Sequence, residues 1–152
     1  MGWGIIEVHG SRLVHVASGT IHAPTKGTLT ERLCHIAAAL ETLVARYQPA
    51  AGSVESIFHA KNSLSALNLG HARGVVLVSL GRAGVVVHEY TPGQIKQAAT
   101  GNGRAAKLQV QTMVRLLLGL VARPDDALDT TDALAAALCH VQRADSAVTA
   151  LL

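Results

Sequence analysis

Two short stretches of this chain hold residues able to do chemistry on a phosphate. Val54-Glu55-Ser56-Ile57-Phe58-His59-Ala60-Lys61-Asn62 places a lone carboxylate, Glu55, inside an apolar run that reads as a buried strand. Asp129-Thr130-Thr131-Asp132-Ala133-Leu134-Ala135 places two carboxylates three residues apart at the start of an apolar helix, so both leave from one face. Burying a carboxylate without a partner is costly. Three that converge suggest a hard divalent cation and metal-assisted chemistry.

Other readings compete at each position. Glu55 could be an edge-strand acid facing water, although Val54, Ile57 and Phe58 argue for burial. Asp129 could simply cap a helix, since Asp is favoured there and acids suit the first turn. Asp132 lies inside the helix, where Asp has poor propensity. Asp125 and Asp126 read as solvated loop acids. The eight histidines are scattered, and the adjacent pairs Cys34-His35 and Cys139-His140 have the wrong spacing for zinc. Gly101-Asn102-Gly103 lacks the Lys and Ser/Thr of a P-loop, and there is no G-x-S-x-G elbow.

The elements that must position these residues follow from pattern. Trp3 to Val8 and Leu13 to His22 read as a hairpin turning at Gly10. Thr28-Leu29-Thr30-Glu31 offers a capping box, and Leu29, Leu33, Ile36, Leu40, Leu43 and Tyr47 keep helical spacing up to Pro49. Ser53 to Phe58 is predicted as a strand, Ser63 to about Leu80 as a helix, and Val85 to Tyr90 as a strand. Pro92 opens a short helix ending near Gly101. Helices are predicted over Arg104 to Leu118 and Asp129 to about Val148. Periodicity alone therefore gives an α/β domain, without repeats or linkers.

The chain has 152 residues, of which 49% are hydrophobic and 15% charged, consistent with one domain, 1–152, and a sizeable core. Apolar runs such as Val75 to Leu80 are too short to span a membrane, and no cleavable leader opens the chain. Cys34 and Cys139 read as reduced core thiols of a cytosolic protein, with a pairing across the fold as the alternative. A net charge of +3 permits nucleic-acid binding. One Phe, one Trp and two Tyr are too few for a base-stacking platform, so any DNA binding would rest on phosphate contacts and shape.

These stretches closely resemble the RuvC family of Holliday-junction resolvases. The matching segments are Trp3-Gly4-Ile5-Ile6, Glu55 to Asn62, Ser65 to Val75, Gln94-Ile95-Lys96-Gln97, Gly101-Asn102-Gly103, Lys107 to Gln111 and the Asp129 to Ala135 run. The resemblance implies a ribonuclease H-like mixed sheet with flanking helices. It makes Glu55, Asp129 and Asp132 ligands of two Mg²⁺ ions, with Mn²⁺ as an alternative. It puts Lys107 near the scissile phosphate. Lys61, Arg73, Lys96 and Arg104 become candidates for backbone contacts, and Phe58 reads evenly as core or as a wedge against junction bases. It further implies a homodimer that nicks four-way junction DNA symmetrically during recombination and repair, in the cytoplasm, with RuvA and RuvB as partners. One departure stands out. The family pattern opens with a strand ending in Gly-Ile/Val-Asp-Pro-Gly, whose Asp is the first metal ligand. That central strand has no match here, and all five aspartates lie from Asp125 onward. The expectation is an impaired resolvase lacking that strand. The alternatives are an inactive junction-binding protein or another ribonuclease H-like nucleic-acid-processing protein.

Overall fold

The computed structural model describes residues 1–56, 63–121 and 128–144. Strand β1 (Gly2–His9) and strand β2 (Arg12–Thr20) form the expected hairpin, antiparallel and with a bulge between Ile5 and Ile6. Helix α1 (Leu29–Tyr47) follows. Its predicted capping box is made, with Thr28 Oγ1 accepting from Glu31 N and Glu31 Oε2 accepting from Thr28 N. Strand β3 (Ala51–Glu55) leads to helix α2 (Ser63–Arg82), and strand β4 (Val86–Tyr90) pairs with β3 in parallel. Helices α3 (Pro92–Thr100), α4 (Lys107–Leu118) and α5 (Leu128–Arg143) complete the order.

Several boundaries differ from the sequence expectations. β2 stops at Thr20 rather than His22, and α4 starts at Lys107 rather than Arg104. The three residues before Lys107 are drawn into a loop: Asn102 Oδ1 accepts from Arg104 N, and Gln109 Oε1 accepts from Ala106 N. β3 ends at Glu55, and residues 57–62, with Phe58 and Lys61, lie outside the described residues. So do Asp125, Asp126 and the far end of the last predicted helix. Cys34 is exposed on the outer face of α1, not in the core as expected, whereas Cys139 is fully buried; both are free thiols.

Alternation along the strands separates two cores. Trp3, Val54 and Val87 pack toward α1 and α2, around Ile36, Leu40, Val76 and Leu80. Ile6 and Tyr90 pack toward α3, α4 and α5, around Ile95, Val114, Leu134 and Leu138. Ser53 shares this second face, donating its Oγ to the Ala136 carbonyl of α5. Glycine explains how closely β1 lies on α5. A Cβ on Gly2 would sit 2.0 Å from Asp129 O, and one on Gly4 would sit 2.5 Å from Leu134 Cδ2.

The two ladders do not join. Among the described residues, β1 pairs only with β2, and β3 only with β4. Both pairs pack on the same helix, α5, which spans them from below.

Candidate active site

The acids come together at one end of the sheet. Glu55 is the last residue of β3, on the face that carries Ser53 and therefore toward α5. Asp129 and Asp132 lie in the first turns of α5, where the partial positive charge of the helix end favours carboxylates. Asp129 also touches the start of β1: its Oδ2 is 3.9 Å from the α-amino group of Met1. Thr130 fixes this helix start, donating from its Oγ1 to the Gly19 carbonyl.

Lys107 enters from α4. A cation in a helix's first turn opposes the helix dipole, so its placement needs a local anion. Asp132 supplies it: Lys107 Nζ donates to Asp132 Oδ2 at 2.7 Å. The preceding loop sets the approach. Gly101 ends α3 in the left-handed conformation, φ 75°, and the Gln97 amide braces the turn through Gly101 O and Gly103 N. Both partners of the ion pair are about half exposed, so the pair itself stabilises the fold by only ~0.2–1 kcal/mol.

Electrostatics tie the group together. The Glu55 carboxyl is pushed up by partial burial and then by the Asp132 charge, while Lys107 and Lys96 pull it down. The Lys107 ammonium is held above its usual range, first by the hydrogen bond to Asp132 and also by the charges of Asp129 and Glu55. Glu55 is not enclosed in the apolar run, as the sequence suggested; it stands exposed where the strand ends, crowded by protein on one side. The structure thus gathers Glu55, Asp129, Asp132 and Lys107, with Lys96 of α3 near enough to act on Glu55.

The remaining candidates fall elsewhere. Arg104 is exposed in the loop before α4. Arg73 of α2 pairs with Glu89 of β4, so its guanidinium is already engaged. No motif flagged the Tyr90–His140 contact, in which Tyr90 Oη and His140 Nδ1 lie 2.9 Å apart. Only the packing of β4 on α5 reveals it.

The family model described as crossover junction endodeoxyribonuclease RuvC matches residues 1–140. The chain belongs to the RuvC family. The RuvC protein of Alkalilimnicola ehrlichii is 51% identical over 144 residues, covering 95% of this chain and 86% of that protein. The RuvC protein of Rubrobacter xylanophilus is 49% identical over 142 residues, covering 92% and 78%. Among solved structures, T. thermophilus RuvC in complex with a Holliday junction substrate superposes with a TM-score of 0.85 at 36% identity, covering 92% of this chain and 85% of that one. The fold is therefore ribonuclease H-like, as the resemblance implied, here with its strands in two separate ladders. No described helix is long and apolar enough to cross a membrane.

The acids of this RuvC chain suit a hard divalent cation in kind, being oxygen donors in a clustered negative field. They are not drawn into a ready-made cage: among the described residues, no three acidic, His or Cys side chains sit close enough to hold a metal. Lys107 engages Asp132, and the α-amino group of Met1 lies beside Asp129.

Proposed function

We propose that this chain carries the metal-dependent endonuclease site of a Holliday-junction resolvase, making symmetric nicks in four-way DNA junctions during recombination and repair. The observation that carries the reading is the placement of Glu55, Asp132 and Lys107 in one electrostatic group, drawn from β3, α5 and α4, with Asp129 one turn away. Glu55, Asp129 and Asp132 would hold Mg²⁺, with Mn²⁺ as a substitute. When bound, the metal supplies an activated water and offsets charge on the departing 3′ oxygen. Lys107 orients Asp132 and presents a cation to the scissile phosphate, and Lys96 favours the ionised form of Glu55. Arg104 on its exposed loop contacts the DNA backbone.

A fourth carboxylate belongs between β1 and β3. Among the described residues β1 and β3 are not bonded to each other; Asp129 lies beside the start of β1, and Glu55 ends β3. An extended segment seated there, parallel to β3 and ending in an acid, would complete the ligand set.

A second copy is expected to pack on α2. Leu64, Leu67, His71, Gly74, Val78 and Gly81 follow alternating steps of three and four, and Leu64, Leu67 and Val78 are each more than half exposed. Such a pair would bring two sites to the two strands of a junction delivered by RuvA and RuvB in the cytoplasm.

The open spacing of the acids, with Asp132 engaged by Lys107, favours a second reading, a junction-binding protein without cleavage. One assay separates the two: four-way junctions are incubated with Mg²⁺ and either this chain or a version extended by a Gly-Ile-Asp-Pro-Gly strand. Cutting that appears on extension and vanishes in Glu55→Gln supports the nuclease. Tight junction binding with no cutting by either form supports the second reading.

A further inference from the structure

Asp132, Ala136 and His140 follow one another at four-residue steps on α5, so they form one stripe of the helix. That stripe rests on β3 and β4. Ser53 Oγ donates to the Ala136 carbonyl at 2.8 Å, Tyr90 Oη meets His140 Nδ1 at 2.9 Å, and the His88 ring stacks on the His140 ring with centroids 4.3 Å apart. Ser53 and His140 are both buried. The helix between and beside these contacts is mostly alanine: Ala133, Ala135, Ala136 and Ala137. Methyl groups make shallow ridges, and it is deep ridges in grooves that hold a helix against rotation and sliding. Hydrogen bonds do this instead, because they weaken steeply with angle and distance. Tyr90 has a second hold. It is the ladder partner of Glu55, and its carbonyl accepts from Ser56 N at 2.8 Å.

We infer that Tyr90 and His140 form a strut that sets the spacing between Glu55 and Asp132, making both positioning residues for the divalent-cation site. The backbone of Tyr90 grips the strand end that carries Glu55, and its hydroxyl grips the helix that carries Asp132. The surroundings keep the strut neutral. Burial and the neighbouring His88 hold His140 below its usual value, burial holds Cys139 as a thiol, and Arg143 lies one turn beyond Cys139. A neutral His140 can pair with the tyrosine hydroxyl in either tautomer. The inference rests on the reading of Glu55 and Asp132 as metal ligands. Partners one layer behind a ligand commonly govern metal affinity by 10–100-fold.

The test uses Tyr90→Phe, which keeps the ring and removes only the hydroxyl, alongside His140→Leu and His140→Gln. Mn²⁺ binding is measured by calorimetry and folding by thermal melting. Tyr90→Phe and His140→Leu are expected to weaken Mn²⁺ binding roughly tenfold, and His140→Gln, which still offers a hydrogen-bond partner, to recover most of that loss. A lower melting temperature with unchanged Mn²⁺ affinity would assign Tyr90 to core packing and overturn the strut. A metal-free measurement accompanies these: nuclear Overhauser contacts between Ser53 on β3 and Ala136 on α5, which meet across the gap the strut spans, should weaken in Tyr90→Phe, and contacts identical to the parent overturn the inference. If the parent binds no Mn²⁺, the metal reading fails by itself, and the contacts between Ser53 and Ala136 alone decide the strut.

Discussion

Glu55, Asp129 and Asp132 are exposed or half-buried acids, and on the proposed reading their work is to hold a cation, not to hold the fold. In the strand-extended chain, Glu55→Gln, Asp129→Asn and Asp132→Asn should each abolish junction cutting while leaving junction binding nearly intact in gel-shift titrations. Near-normal turnover in any one removes that residue from the ligand set. Lys107 differs, because one phosphate contact is a small part of a salt-dependent interface, whereas a cation at the reacting group acts in the transition state. Lys107→Ala should slow single-turnover cutting by roughly a hundredfold and change affinity far less. His140 gives a prediction in pH. Its folded value lies below 6.5, so the folded state binds its proton less readily than the unfolded chain does. Stability is therefore complete above about pH 6.5 and falls as the pH drops through the lowered value. Urea melts of His140→Gln should show a flatter dependence over that window, and parallel curves would contradict the assignment.

Among the described residues, two short ladders that pack on one helix do not join, and open strand edges invite another strand. A typical strand of about 5–6 residues, burying aliphatic side chains worth roughly 1.5–3 kcal/mol each, would change the stability of so small a domain decisively. Supplying that strand as an N-terminal extension should sharpen the thermal transition, raise its midpoint and reduce aggregation. A high, cooperative transition in the present chain, unmoved by the extension, would show that the ladders need nothing between them. The same logic explains why β1 tolerates its position: Gly2 and Gly4 let it lie directly on α5, and larger residues there would push Asp129 and Leu134 away.

Among the described residues, one face of α2 is left uncovered. Along α2, Leu67 and Val78 stand exposed beside Gly74 and Gly81, whose missing side chains leave open space. Leu67→Asp and Val78→Asp should therefore give a monomer by sedimentation while the monomer's far-ultraviolet spectrum stays native. Paired cutting of a junction would then become two uncoordinated nicks. A dimer that survives both substitutions would place the partner elsewhere. Junction affinity should also fall steeply with salt if, as proposed, dispersed Lys and Arg and not aromatic stacking provide the contacts.

The sequence by itself determined the family, the α/β class and the order of elements, and it named the acids proposed for the site. The family follows from motifs matched in order along the chain, and the elements follow from local causes: the short apolar runs of β3 and β4, the capping box at Thr28, Pro92 at a helix start, and the one-turn spacing of Asp129 and Asp132. Boundaries slipped where side-chain amides such as Asn102 and Gln109 took over backbone groups. The burial expected for Glu55 and Cys34 failed because a strand's end and a helix's outer face are set by what packs against them. Only the tertiary structure decided that Lys107 meets Asp132 across 25 residues, that Arg73 is held by Glu89, and that Tyr90 reaches His140 across 50. Such pairs have no signature along the chain, since they arise where separate elements cross, and the crossing depends on how every other element packs.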